Sequence, residues 1–270
     1  MPRGPRRIVC LTAETVDLLY RLGAGDLVVG VSGYTAFPPE ARRKPFVSAF
    51  TTVRYDVIES LEPDLVLAFS DLQADAAREL GRRGYPVLLT NQRTLDEVFE
   101  TLVLIGRMVG KGGEANSLVA TLERQLDAAR KASAGRPRPR VYFEEWDDPL
   151  ITGIPWVSDL IEAAGGEEVF PEFRDCSTAS QRVVPAEAVT ERAPDIIIAS
   201  WCGRRANLAA IRSRPGWSAI PAIRDHRIYE IKSAYCLQPG PALITEGLPR
   251  FCAIIEQQRG RKGGDSRRCP

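Results

Sequence analysis

A chain of 270 residues is long enough for one large domain or for two lobes of ordinary size, each with its own core. Its 36 lysines and arginines balance 35 acidic residues, so a net charge of +1 offers no field that would attract nucleic acid or an anionic membrane. No apolar run approaches the roughly 20 residues that a membrane-spanning helix needs. Only four apolar residues, 8–11, follow the basic N-terminus, which is too few for the apolar core of a signal peptide, so we expect a cytoplasmic protein with reduced thiols.

Short apolar runs alternate with amphipathic helical patterns in the first part of the chain. The pattern predicts strands over residues 7–11, 27–31, 65–69 and 86–89, and helices over residues 14–22, 55–61, 73–83 and 95–109. This order is typical of a parallel sheet that helices cover on both faces.

Residues 114–131 contain neither proline nor glycine and carry one apolar stripe, which predicts a helix of about 18–20 residues. A second array follows, with strands over residues 140–143, 195–199 and 227–231, and helices over residues 156–164, 185–192, 208–213 and 242 to about 256. The predicted fold is therefore α/β, with two Rossmann-like lobes of mainly parallel sheet joined by a single long backbone helix. The predicted segments are residues 1–111, 112–135 and 136–257, followed by a disordered basic tail over residues 258–270.

Aromatic residues follow most of the predicted strands, at the positions where open parallel sheets bind ligands. The rings are those of Tyr34, Trp146, Trp201 and Tyr235, and the polar side chains beside them are those of Glu145, Ser200 and Cys202. Aromatic walls with a few polar anchors suit a large, partly apolar organic ligand. Alternatively, these rings pack the bases of the loops against the two cores.

The acidic residues Glu144, Glu145, Asp147 and Asp148 surround Trp146. They are candidates to bind a hard cation, to receive a cationic group of a ligand, or to form an acid/base pair. Solvated loop charge is the alternative. Because neighbouring side chains of a strand point to opposite faces, at most two of these carboxylates reach one site.

Cys176, Cys202 and Cys236 are candidate metal ligands, since two of them follow predicted strands and the third lies in a loop. If they converge, they could hold zinc or an iron–sulfur cluster in a cytoplasmic metal protein. Inert buried thiols are the alternative. An enzyme with Cys202 as nucleophile or Glu145 as base is a weaker hypothesis, because the chain has one histidine and none of the common catalytic motifs. We therefore predict a binding protein that is not an enzyme and requires no cofactor.

The chain resembles the class III periplasmic binding proteins, which deliver vitamin B12, haem and ferric siderophores to ABC importers, and it is most similar to their vitamin B12-binding branch. In the first half the resemblance is carried by Arg-Ile-Val-Cys-Leu-Thr-Ala-Glu at 7–14, Val-Gly-Val-Ser-Gly-Tyr at 29–34, Phe-Pro-Pro at 37–39, Val-Ser-Ala-Phe at 47–50 and Ile-Glu-Ser-Leu-Glu-Pro-Asp-Leu-Val at 58–66. In the second half it is carried by Ala-Ala-Gly-Gly-Glu at 163–167 and Ala-Pro-Asp-Ile-Ile-Ile at 193–198.

The resemblance implies a cleft between the lobes that binds a corrinoid such as cobalamin, or a related metal chelate. Tyr34 and Phe50 stand where the vitamin B12-binding branch places ring contacts to the corrin. Asp56 and Glu187 stand where the family has an acidic residue on each lobe that docks onto the membrane subunits of the importer. Ordinary solvated helix charge is the alternative for both acids. We expect a monomer that serves an importer or acts as a cytoplasmic carrier.

Overall fold

The computed structural model describes the backbone of residues 4–262 and the side chains of residues 4–259. The chain forms two compact units. Among the described residues, the first unit is built from residues 4–122 and Gln238–Ala242, and the second unit from Glu123–Leu237 and residues 243–262. The chain therefore passes from one unit to the other three times, where the sequence predicted a single passage.

The first unit is an α/β layer structure. Its strands are β1 (Ile8–Cys10), β2 (Val28–Ser32), β3 (Phe46–Ala49), β4 (Thr52–Val53), β5 (Leu65–Phe69) and β6 (Val87–Thr90), and its helices are α1 (Ala13–Arg21), α2 (Tyr55–Ser60), α3 (Ala74–Arg82) and α4 (Leu95–Met108). The sheet has the order β4-β3-β2-β1-β5-β6, and all its neighbours are parallel except β3 and β4. Apolar side chains of β1 and β5 on one face pack with Ile58 of α2 and Leu80 of α3.

The predicted long helix is α5 (Gly112–Ser133), which contains the boundary between the two units. Its apolar stripe is buried at Ala115, Leu122 and Leu126, as the spacing of these residues in the sequence indicates. No described helix combines the length and the apolar composition that spanning a membrane requires.

The second unit is also α/β. Its strands are β7 (Arg140–Asp147), β8 (Leu150–Thr152), β9 (Glu167–Glu168), β10 (Ile196–Ala199) and β11 (Ile228–Glu230), and its helices are α6 (Pro155–Ala163), α7 (Ala186–Arg192), α8 (Leu208–Arg212), α9 (Pro221–Arg224), α10 (Ser233–Cys236) and α11 (Leu248–Lys262). The sheet has the order β11-β10-β7-β8, with β9 also paired to β7, and only β8 is antiparallel. The predicted fold class is confirmed.

Several predicted boundaries were wrong. β3, β4, β8 and β9 were not predicted, because they are short and lack a long apolar run. β7 extends to Asp147 rather than ending at Phe143, since β8 pairs with its acidic half. The predicted disordered tail begins at residue 258, yet α11 continues to Lys262. The rest of that tail, residues 263–270, lies outside the described residues.

A Pro-Asp pair opens the strand beside the first strand of each sheet, and it has the same geometry in both units. Asp64 accepts the backbone N–H of Arg7 through Oδ1 at 2.8 Å, and Asp195 accepts the backbone N–H of Arg140 through Oδ2 at 3.1 Å. Each pair follows a residue with positive φ that ends a helix, namely Glu62 at 43° or Ala193 at 44°. The Pro-Asp sequence that occurs in both halves of the chain thus forms the same backbone hydrogen bond in both units.

Buried Glu168 makes the stability of the second unit depend on pH. Its side chain is 4% exposed, Oε1 accepts the backbone N–H of Phe170 at 3.2 Å, and Oε2 has no hydrogen-bond partner among the described residues. Burial raises the pKa of this carboxyl from 4.5 to about 8. Because the folded state holds the proton more tightly than the unfolded state, this stabilisation is complete below pH 4.5 and is lost as the pH rises through 8.

We expect the free energy of unfolding to fall between pH 4.5 and pH 8, and Glu168→Gln to make that fall shallower. A neutral amide cannot ionise, so the variant removes a slope of up to about 1.4 kcal/mol per pH unit. Urea unfolding at several pH values measures both slopes. Equal slopes for the two proteins would contradict this expectation.

Candidate functional site

Most candidate ligand contacts follow the carboxyl ends of parallel strands, which meet at one edge of each sheet, whereas Glu145 and Trp146 lie within the last part of β7. In the first unit, Tyr34 and Phe50 occupy equivalent positions. Each lies two residues beyond a serine, and these serines, Ser32 of β2 and Ser48 of β3, are partners in the strand pairing. The register therefore places the two rings at neighbouring strand exits of one sheet.

Backbone contacts hold both aromatic residues of the first unit. The backbone N–H of Tyr34 donates to Ser32 Oγ at 3.4 Å, and its carbonyl oxygen accepts from Gln238 Nε2 at 3.2 Å. Phe50 has a φ of 56°, and its carbonyl oxygen accepts from Gln73 Nε2 at 2.7 Å. Tyr34 has 44% of its surface exposed and so keeps surface that a ligand could contact, whereas Phe50 is half-buried.

In the second unit, Arg204 covers two of the predicted rings. Its guanidinium lies 4.3 Å from the ring centroid of Trp146 and 4.7 Å from that of Trp201, and it forms an ion pair with Asp147. Trp146 is half-buried and can still contact a ligand, but Trp201 is 3% exposed and its Nε1 donates to Glu144 Oε1 at 3.3 Å. The ring of Trp201 is therefore buried just past the end of β10 and offers a ligand little surface.

The acidic run on β7 is neutralised by arginines from later loops. The ion pairs are Glu144 with Arg214, Glu145 with Arg182, and Asp147 with Arg204. Glu144 has no exposed side-chain surface, and desolvation raises its pKa although Arg214 opposes that shift. Three of the four carboxylates are thus engaged, so the structure gives no support to the hypotheses of a cation site or an acid/base pair here.

Ser200 and Tyr235 already have partners. Ser200 is 1% exposed, and its hydroxyl accepts from the thiol of Cys236 at 3.3 Å. The guanidinium of Arg250 lies 3.9 Å from the ring centroid of Tyr235, which is half-buried. Of these two, only Tyr235 keeps surface that a ligand could contact.

The structure does not form a metal site from Cys176, Cys202 and Cys236. Throughout residues 4–262, no three His, Cys, Asp or Glu side chains are grouped so that they could hold a metal ion. Cys236 is buried and its pKa is raised to about 12 by desolvation, whereas Cys202 is exposed and Cys176 is half-buried. The zinc and iron–sulfur alternatives are not supported.

Cys202 also lacks the character of a nucleophile. Although the residue as a whole is exposed, desolvation of its thiol and the negative charge of Glu145 raise the pKa of Cys202. A reactive cysteine needs a lowered thiol pKa. Glu145, the suggested base, is held by Arg182 through bonds of 2.7 and 3.1 Å. The geometry therefore does not favour cysteine catalysis.

Asp56 and Glu187 occupy matching positions in the two units. Each is exposed in the first turn of a short helix, α2 or α7, and each stands eight residues before the aspartate of a Pro-Asp pair. Neither carboxylate forms an ion pair with a described residue. Relative to the Pro-Asp pairs at Asp64 and Asp195, Asp56 and Glu187 thus stand at equivalent positions, and each is exposed.

Arg182, Arg204 and Arg214 are the site residues that sequence reasoning missed. They lie 37, 57 and 70 residues from the carboxylates that they contact. No local spacing links residues so far apart. The one available signal was the number of arginines in the loops between the strands of the second array.

The chain is similar in sequence to known binding proteins. The profile of the family described as "Periplasmic binding protein" matches residues 8–235. The chain is 30% identical to the uncharacterized ABC transporter substrate-binding lipoprotein YvrC of Bacillus subtilis, over 94% of this chain and 81% of that protein. It is 24% identical to the vitamin B12-binding protein of Vibrio vulnificus, over 94% of this chain and 92% of that protein.

Among solved structures, a possible iron-binding, periplasmic solute-binding protein from Staphylococcus epidermidis is similar in fold. The TM-score is 0.78 at 24% identity, over 94% of this chain and 99% of that chain. The matched family and relatives are described as periplasmic proteins or as a lipoprotein. The cytoplasmic location predicted from the sequence is therefore wrong.

Proposed function

Because this chain belongs to the periplasmic binding protein family, we propose that it is the substrate-binding protein of an ABC-type importer, that it acts outside the cytoplasm, and that its ligand is a corrinoid. The observation that carries the ligand class is the similarity to a vitamin B12-binding protein over 94% of this chain and 92% of that protein. Its partners are the small ligand and the membrane subunits of the importer. Binding and delivery require no bond to be made or broken.

The strand exits support a planar, partly apolar ligand. Tyr34 offers an exposed ring in the first unit, with Phe50 at the neighbouring exit, and Trp146 offers a half-buried ring in the second unit. Tyr235 and Cys202 are further proposed contacts. Glu145, Ser200 and Trp201 are buried or paired, and we assign them a supporting role beneath the contacting rings.

Purified protein is expected to bind cobalamin or cobinamide, and Tyr34→Ala and Trp146→Ala are each expected to weaken that binding about fivefold to tenfold. Each variant removes a ring whose stacking on a conjugated ligand is worth about 1 kcal/mol. Titration calorimetry with both corrinoids measures the dissociation constants.

Leu104→Ala is the matched control, because Leu104 is a large apolar residue with 47% of its surface exposed, on α4 and away from the strand exits. It should leave the affinity unchanged. Binding weaker than about 1 mM by the unaltered protein for both corrinoids would overturn the ligand assignment.

A further inference from the structure

The five residues Gln238–Ala242 belong to the first unit, although the chain on both sides of them belongs to the second. Four of the five, Pro239, Gly240, Pro241 and Ala242, are buried. We call these five residues the returning segment. Its contacts with the rest of the first unit include the start of α1 and the loop that carries Tyr34.

At the first place, Gly240 lies against Glu14 in the first turn of α1. A β-carbon built on Gly240 would stand 2.7 Å from Glu14 Cβ and 3.2 Å from Glu14 Cα. Since α1 fixes both of those atoms, a larger residue at position 240 would push the returning segment away. Glu14 itself is 6% exposed, and its Oε1 accepts from the hydroxyl of Thr12.

No lysine or arginine among the described residues forms an ion pair with Glu14. Burial raises the pKa of its carboxyl to about 7, and the hydroxyl of Thr12 opposes that shift. The titratable neighbour on β1 is the thiol of Cys10, whose pKa burial raises to about 12, so it stays neutral. The returning segment contributes no titratable group of its own. A negative charge on Glu14 would therefore be buried with the hydroxyl of Thr12 as a donor but without a counter-charge, which is unfavourable.

At the second place, the returning segment holds Tyr34. Gln238 Nε2 donates to the carbonyl oxygen of Tyr34 at 3.2 Å. Within the segment, the backbone N–H of Gly240 donates to the carbonyl oxygen of Gln238 at 2.8 Å, and the flanking prolines restrict the backbone. The contact with Glu14 and the contact with Tyr34 are thus joined by a short, stiff piece of chain.

We propose that Gln238 and Gly240 are positioning residues for the ligand, which hold the Tyr34 loop in place, and that the returning segment keeps this position only while Glu14 is protonated. The inference rests on the proposed function in so far as Tyr34 contacts the ligand. Ionisation of Glu14 releases the segment, so ligand affinity falls as the pH rises through neutrality.

Ligand binding gives the first test, with cobalamin as the probe. Gln238→Ala should weaken binding about twofold to tenfold, as expected for one hydrogen bond, and Gly240→Ala should weaken it further. Gly81→Ala is the matched control, because a β-carbon on Gly81 of α3 meets no atom within 4 Å. In a Tyr34→Ala background, Gln238→Ala should cause no additional loss. Additive losses would overturn the positioning role.

The pH profile gives the second test. Between pH 6 and pH 8.5 the affinity of the unaltered protein should fall, whereas that of Glu14→Gln, which cannot ionise, should stay flat. The same slope in both proteins would overturn the role of Glu14.

Hydrogen exchange on the ligand-free protein separates this inference from the proposed function. After correction for intrinsic rates, the amides of residues 33–35 should lose protection above pH 7 in the unaltered protein and keep it in Glu14→Gln. If no corrinoid binds but this difference appears, the ligand assignment fails and the release of the segment stands. If protection is the same in both proteins, the inference fails whatever binds.

Discussion

Replacing Arg214 with Met is expected to lower the free energy of unfolding by about 3–5 kcal/mol near pH 8. The two carboxylate oxygens of fully buried Glu144 accept from Arg214 at 2.7 and 3.2 Å. Without the guanidinium, the carboxylate keeps one side-chain donor among the described residues, Trp201 Nε1 at 3.3 Å. Desolvation already raises the pKa of Glu144, so in the variant this carboxyl takes up a proton more readily and the destabilisation shrinks as the pH falls.

Urea unfolding of Arg214→Met at pH 8 and pH 5.5 measures both the loss and its pH dependence. The double variant Glu144→Gln with Arg214→Met removes the buried charge as well, and should recover much of the stability. Arg224→Met breaks an exposed ion pair with Asp225 and should leave stability unchanged. An Arg214 variant as stable as the Arg224 variant would show that Glu144 needs no counter-charge.

The double variant Asp56→Lys with Glu187→Lys is expected to reduce ligand-stimulated ATP hydrolysis by the assembled importer at least about tenfold. Both carboxylates are exposed, lack ion pairs with described residues and occupy equivalent places in the two units. If basic residues of the membrane subunits receive them, reversed charges place like charges together at a cost of several kcal/mol. Cobalamin affinity should not change, because neither residue lies at a strand exit.

Exposed acids elsewhere on each unit provide the control for this experiment. Glu100 of α4 and Glu123 of α5 are exposed, and the double variant Glu100→Lys with Glu123→Lys makes the same change in net charge. It should leave ATP hydrolysis near its original rate. An equal loss in the two double variants would mean that net charge, and not docking at Asp56 and Glu187, sets the rate.

Much of the fold was predictable from local patterns. The apolar run Leu65–Phe69 and the proline-free helix α5 carry strong periodicity, and both appear within two residues of the predicted bounds. β4 and β9 have two residues each and were missed, because pairing with a neighbouring strand defines them rather than their own composition. The same is true of the acidic half of β7, which is a strand because β8 pairs with it.

The candidate site was less predictable, because its electrostatics depend on long-range pairing. The sequence identified the acidic run on β7 but not that Arg182, Arg204 and Arg214 would neutralise it. It placed Trp201 at a strand exit but could not show that the ring is buried beneath Arg204. Tyr34 was different, since a ring two residues past a parallel strand stays exposed unless another segment covers it.

The returning segment also determines the order in which the protein can be completed. A ribosome makes the N-terminal end first, so residues 4–122 exist long before Gln238–Ala242. The first unit therefore cannot be completed by residues 238–242 until nearly all of the second unit has been synthesised. A fragment that ends at Leu122 would leave Glu14 and the Tyr34 loop uncovered, so cutting the chain within α5 cannot yield two independent halves.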